Sequence, residues 1–259
     1  MSASFYMDKD SALHRLHPVT KIVLLLLSFV SAMMIEHPLW LLGLVMLYAL
    51  AGARSGVWTG LWRVIWLLML IALASFVIWS LAYAGKTRIP ALGFLPVTKE
   101  GLLFGAGMGV RLDLMIFCGL IFLATTPLED FTYGLTRMGL PFPVSFALSL
   151  SFRLAPLFGD TVGTILEAQK ARGLSVESGG ILGRMKNYVP LLAPVFASAL
   201  RRADQLAMAL ESKGFGRPGK RGAYREYAAG GRDAVATLMM ILLIALEVFA
   251  RVSGRGMIN

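Results

Sequence analysis

From Val64 to Gly85 the chain runs for 22 residues without a charge, with Trp66, Trp79 and Tyr83 near the two ends. At 1.5 Å per residue a helix of that length crosses about 30 Å of hydrocarbon. Aromatic rings near its ends suit the membrane–water interface. Hydrocarbon offers no water to unpaired backbone groups, so such a segment must be helical and the chain around it must live in a bilayer. Composition agrees, with 57% apolar and 15% charged residues, against roughly 25% charged in a soluble domain. That is too little charge to cover a soluble surface, and too much Leu, Ile, Val and Phe for disorder. The single cysteine, Cys118, excludes an internal disulfide framework and a cysteine-rich zinc site. A net charge of +10 suits anionic headgroups or an acidic partner protein. Nucleic acid is disfavoured, because most of the chain is too apolar to stay in water.

Four more apolar runs read as spans. Ile22–Ile35 is flanked by Lys21 and Glu36, whose long side chains are expected to snorkel and extend a short span. His37–Ala53 follows, with Trp40 and Tyr48 near its ends. Gly101–Leu128 is interrupted by Arg111 and Asp113, and Ala234–Leu246 reaches Ala250 if Glu247 is tolerated. The N-terminus carries Asp8, Lys9 and Asp10, with no small-residue cleavage site after the first run, so that run is expected to be a permanent helix. The fold class is therefore all-α, a polytopic membrane bundle of about five transmembrane helices.

Between the fourth and fifth spans the pattern changes. Met138–Phe152 holds Pro141 and Pro143, and Asn187–Leu200 holds Pro190 and Pro194. Both read as short interfacial, re-entrant or buried runs. Residues 170–232 carry twelve Lys and Arg against four acids, which assigns this block to the cytoplasm. The N-terminus is then also cytoplasmic and the C-terminus outside; Arg54 and Arg63 fit, whereas Lys86, Arg88 and Lys99 fall on the outer side. The organisation expected is 1–130 for the first four membrane helices, 131–232 for the cytoplasmic and interfacial region, and 233–259 for the closing span. In that region, Leu157, Phe158, Val162, Ile165 and Leu166 mark one amphipathic helix, ending at Gly173. Val189, Leu192, Val195, Phe196, Leu200, Leu206 and Leu210 mark a second, ending at Gly214. Each has an apolar face, so the pair is expected to pack together and on the membrane bundle.

The two helices end alike, in Ala171-Arg172-Gly173-Leu174 and Ser212-Lys213-Gly214-Phe215, 41 residues apart. Glycine supplies a left-handed cap, and a cation in the last turn complements the helix dipole. The repetition suggests more than capping. A small residue permits close approach, the cation addresses carboxylates or carbonyls, and the flanking Leu or Phe fits an apolar pocket. Two such tips suit two grooves, including grooves on two copies of one partner.

Together with Ser11, Leu13, His14, Leu16, Pro18 and Lys21 before the first span, these features resemble the T component of energy-coupling factor importers, over nearly the whole chain. The family usually has Asp where this chain has His17, and Ser212-Lys213-Gly214 departs in two positions from its Ala-Arg-Gly motif. The resemblance implies long cytoplasmic coupling helices whose tips, Ala171, Arg172, Gly173 and Ser212, Lys213, Gly214, bind two cytosolic ATPase subunits. It further implies a separate membrane S component that captures a vitamin or transition-metal ion, a bacterial cytoplasmic-membrane location, and no catalysis or cofactor in this chain.

The remaining motifs read plainly. Arg111 and Asp113 point about 200° apart on a helix, and a helix starting nearer Leu114 would leave both at the interface. His14 and His17, at i and i+3, lack the further ligands a metal site needs. Gly101–Gly109 has no Lys-Ser/Thr, and Gly214–Arg221 lacks the loop spacing of a phosphate site; close helix packing accounts for the first. An intramembrane enzyme would require Arg111, Asp113, Glu247 or the histidines to converge in one cavity. A self-contained secondary carrier would require duplicated membrane halves, which the chain lacks.

Overall fold

The computed structural model describes residues 13–35, 38–55, 58–83, 98–174, 180–217, 227–228 and 230–253. Expectations resting on Asp8–Asp10, Ser11, Glu36, His37, Lys86, Arg88 and residues 218–226 lie outside these. Among the described residues the regular elements are α-helices: α1 Pro18–Met34, α2 Pro38–Ser55, α3 Trp58–Ala82, α4 Lys99–Thr125, α5 Leu128–Arg137, α6 Phe142–Ala171, α7 Ile181–Ser212 and α8 Gly231–Val252. The chain forms two compact units. Residues 146–226 make one, and the flanking segments 3–145 and 227–259 make the other.

Among the described residues, four helices are long and apolar enough to cross a membrane: α4, α6, α8 and Val64–Ala82 of α3. Of the five expected spans, those in α3, α4 and α8 are among these four, the first two fall on shorter apolar helices, Pro18–Met34 and Trp40–Leu50, and α6 joins the candidates by length and composition. At 17 residues, α1 rises roughly 26 Å, a shortfall that local thinning of the bilayer accommodates. Trp66 is 80% exposed, beside exposed Leu67, Met69, Leu70 and Leu73. Such a face suits contact with lipid.

In the unit made of residues 3–145 and 227–259, here called the membrane unit, the helix directions follow from side-chain contacts. His17 and Ser31 of the α1 segment meet Asp233 and Glu247 of α8, each pair 216 residues apart, so the two helices run parallel. Lys21 reaches the Thr125 carbonyl and Arg111 the Ile35 carbonyl, so α4 runs antiparallel to α1. Helix α3 also packs antiparallel to α4, through the ladder Gly101, Gly105 and Gly109. A Cβ on Gly105 would stand 2.8 Å from the Phe76 carbonyl, and one on Gly109 would stand 3.0 Å from that of Ala72. Small residues at four-residue spacing let the two backbones touch, as the sequence suggested. The core joins Ala32 and Ile35 of the α1 segment to Leu41 and Leu44 of α2 and Leu114 and Cys118 of α4.

The proline-bearing runs differ from expectation. Most of the first run, Phe142–Phe152, and all of Asn187–Leu200 are not separate short segments but continuous parts of α6, with 30 residues, and α7, with 32. Pro141 and Pro143 sit before or inside the first turn of α6, where no intrahelical N–H donor is required. Pro156, Pro190 and Pro194 lie inside the helices. Each removes one hydrogen bond without ending its helix.

Helices α6 and α7 also pack less than their stripes suggested. Among the described residues they share no extended seam. Phe146, near the start of α6, meets Phe215, just beyond α7, at 4.6 Å between ring centroids. Val189, Leu192, Phe196 and Leu200 remain exposed.

Candidate functional site: two helix tips

Both tips close with one backbone arrangement. At the end of α6, the Leu174 N–H donates to the Gln169 carbonyl at 3.0 Å and the Gly173 N–H to that of Lys170 at 2.9 Å. At the end of α7, Phe215 donates to Leu210 at 2.9 Å and Gly214 to Glu211 at 2.9 Å. This is the Schellman closure, which needs a left-handed residue after the cap. Gly173 and Gly214 supply it with φ of +92° and +76°. Arg172 and Lys213 therefore occupy the same cap position. Both are exposed, and among the described residues neither side chain is engaged in a hydrogen bond or ion pair. Ala171 and Ser212 are exposed one residue earlier, and the Ser212 hydroxyl donates to the Ala209 carbonyl at 2.9 Å.

The tips stand far apart. Phe215 lies beside Phe146, at the opposite end of α6 from Arg172. The 26 residues from Phe146 to Arg172 cover roughly 39 Å along a helix.

A second polar assembly, not anticipated from the sequence, lies in the membrane unit at the start of α1. The Asp233 carboxylate accepts from the His17 N–H at 2.7 Å and the Gly230 N–H at 2.8 Å, serving the first turns of two parallel helices. His17 Nδ1 in turn accepts from Val19 N–H at 3.2 Å. Lys21 does not snorkel. It is 6% exposed, and its ammonium donates to the carbonyls of His14 at 3.0 Å and Thr125 at 2.8 Å, at the C-terminus of α4. Such capping complements the negative end of the helix dipole. The buried Asp130 of α5 accepts from the Tyr227 hydroxyl. The Tyr227 ring lies 5.1 Å from Tyr133 and 6.2 Å from His17. A Cβ on Gly134 would stand 3.3 Å from the Pro18 carbonyl, so α5 sits directly on α1.

His14 and His17 of the enzyme alternative lie at the start of α1, away from Arg111 and Glu247 near its end. Arg111 holds the Ile35 carbonyl at 2.6 Å at the far end of α1, and Glu247 accepts from Ser31 at 2.6 Å. Helix α4 begins at Lys99 rather than near Leu114, which places Arg111 and Asp113 mid-helix. Arg111 is useful there because the end of α1 needs a donor. A small apolar cavity of about 130 Å³ is lined by Leu16, Lys21, Ser28, Tyr48, Cys118 and Met240, among others, and a surface groove by Trp66, Leu70, Phe76 and Gly109. Neither contains Arg111, Asp113, Glu247 or a histidine. Among the described residues no cluster has the composition of a metal site.

Comparison with known proteins decides the family. The model of the CbiQ family, described as cobalt transport protein, matches residues 9–223, a stretch that contains both tips. This chain belongs to that family. The energy-coupling factor transporter transmembrane protein EcfT of Lactococcus lactis subsp. cremoris is 32% identical over 260 residues, covering 96% of this chain and 97% of its own. EcfT of Bacillus subtilis is 33% identical over 269 residues, covering 95% and 96%. EcfT of Streptococcus thermophilus is 31% identical over 262 residues, covering 93% and 94%. The chain is thus a T component, the multi-pass transmembrane subunit of an energy-coupling factor transporter.

Proposed function

We propose that this T component is the non-catalytic coupling subunit of a bacterial importer. Arg172 and Lys213, with Ala171, Gly173, Ser212 and Gly214, form two tips that each seat on one of two cytosolic ATPase subunits. A substrate-capturing S component in the membrane rests on the chain's exposed apolar helix faces, and the cargo is a vitamin or transition-metal ion. The single observation that carries this reading is the pairing of two Schellman tips with uncommitted cations, roughly 39 Å apart along α6. One groove cannot take both, whereas two copies of one partner can. The apolar stripe Val189, Leu192, Phe196, Leu200 on α7 is a surface for a membrane partner. The basic excess of residues 170–232 assigns this region to the cytoplasmic side.

The test is co-purification through a tagged chain. Arg172→Ala plus Lys213→Ala is expected to reduce recovered ATPase subunits by about tenfold, as loss of charge-assisted hydrogen bonds predicts, and each single variant to remove about half. Unchanged stoichiometry in the double variant would overturn the reading.

A further inference from the structure

The two tips share a backbone closure but not what covers it. Over Gly173 the space is open, and a Cβ there would meet nothing within 4 Å. Over Gly214 it is filled. A Cβ there would stand 3.3 Å from Arg217 Cδ, 3.4 Å from its Nε and 3.7 Å from its Cζ. The Arg217 guanidinium therefore lies across the glycine that closes the second tip, next in the chain after Lys213.

The chain beyond α7 is shaped to place it there. The Arg217 N–H donates to the Gly214 carbonyl at 3.3 Å and closes a four-residue turn. The third residue of that turn, Gly216, takes φ +96°, a conformation that glycine adopts without strain. The second, Phe215, is seated by its ring on Phe146 of α6. With Phe215 seated and the chain reversed at Gly216, Arg217 folds back over the tip. It is exposed, and among the described residues its guanidinium is engaged in no hydrogen bond or ion pair.

The first tip has no counterpart to this residue. The 41-residue offset sets Val176 opposite Arg217, and the next cation after Arg172 is Arg184. The first tip carries its guanidinium at the cap, where the second carries an ammonium. A guanidinium presents a planar fork that meets a carboxylate through two parallel bonds, whereas an ammonium acts as a point charge. With Arg217 counted, each tip has one lysine and one arginine, Lys170 with Arg172 and Lys213 with Arg217.

We propose that Arg217 is the carboxylate-binding residue of the second tip, holding an acidic side chain of the ATPase subunit while Lys213 supplies charge beside it. The proposal rests on the coupling reading above. It is tested by co-purification in an Arg172→Ala background, where recovery of ATPase subunits depends on the second tip. Adding Arg217→Ala is expected to lower recovery about fivefold further, as loss of a charge-assisted pair predicts. Arg217→Lys is expected to lower it about as much, because the charge stays and the fork is lost. Lys213→Arg added to Arg217→Ala moves the fork to the cap and is expected to restore the background level, which also shows that the altered turn still folds. Recovery of Arg217→Ala at the background level overturns the proposal, and so does failure of Lys213→Arg to restore it. Recovery of Arg217→Lys at that level overturns it too, since a point charge would then suffice, the behaviour expected if the partner were an anionic lipid headgroup. The coupling reading fails separately, through unchanged stoichiometry in Arg172→Ala plus Lys213→Ala.

Discussion

Gly173 does two things for the first tip. It ends α6 and it turns Arg172 outward, and these can be separated. A Cβ at φ +92° costs about 1 kcal/mol of local backbone strain. Gly173→Ala is therefore expected to fray the last turn, seen as faster amide exchange at Gly173 and Leu174, and to lower ATPase recovery severalfold although Arg172 is intact. Recovery equal to the unmodified chain would mean that charge alone suffices. The capping geometry itself is not particular to the tips. Helix α5 closes the same way, with Leu140 N–H donating to Leu135 and Gly139 at φ 111°. There, Met138 occupies the cap position. The cation at the cap sets the two tips apart, and this was legible in the sequence because four adjacent residues recur as a pattern. The Asp130–Tyr227 and His17–Asp233 pairs were not legible, because their partners lie 97 and 216 residues apart. Lys21 was visible only as a charge bordering an apolar run. A lysine that is buried must find acceptors, and here they are two backbone carbonyls that no sequence motif marks.

At the scale of elements, α3 and α4 are held by contact that tolerates no added side chain. A Cβ at Gly105 would lie 2.6 Å from Ser80 Oγ, whereas at Gly119 nothing stands within 4 Å. Gly105→Leu is expected to push the helices apart at about 1–3 kcal/mol, lowering the melting temperature in detergent. Gly119→Ala on the same helix should leave it unchanged or raised. Equal effects of the two would refute close α3–α4 packing as the reason for the glycine ladder. The charge-free runs made the cores of α3, α4 and α8 readable. The full lengths of α6 and α7 were obscured by prolines, which break helices on average but here sit in a first turn or cost single hydrogen bonds. Helix α5 went unread because its arrangement is inverted: Asp130, Thr132 and Gly134 face inward and Leu128 outward. A search for an apolar stripe facing a core passes over such a helix.

For the molecule as a whole, parallel α1 and α8 with antiparallel α4 fix which helix ends share a side of the membrane unit. The start of α1, the end of α4 and the start of α8 lie together, and Ile35 lies beside Arg111, toward the opposite end. Single cysteines introduced at residues 15 and 228, in a Cys118→Ala background, are therefore expected to react with impermeant reagent from the cytoplasmic side, and one at 253 from the outside. Labelling of 228 and 253 from one side would contradict a crossing by α8. The cytoplasmic side is taken from the basic block, whereas the pairing of first with last helix was beyond a reading that treats spans one at a time.

That pairing bears on how the protein is made. Asp233 and Glu247 are each synthesised 216 residues after the α1 groups they satisfy, an interval on the order of ten to forty seconds at ribosomal speed. Throughout it, the nascent first helix sits in the bilayer with its Ser31 hydroxyl lacking its eventual acceptor. Until the last helix emerges, that hydroxyl can turn only to carbonyls of its own helix, as Ser28 does toward Leu24. A product truncated before α8 keeps that hydroxyl without its Glu247 acceptor permanently.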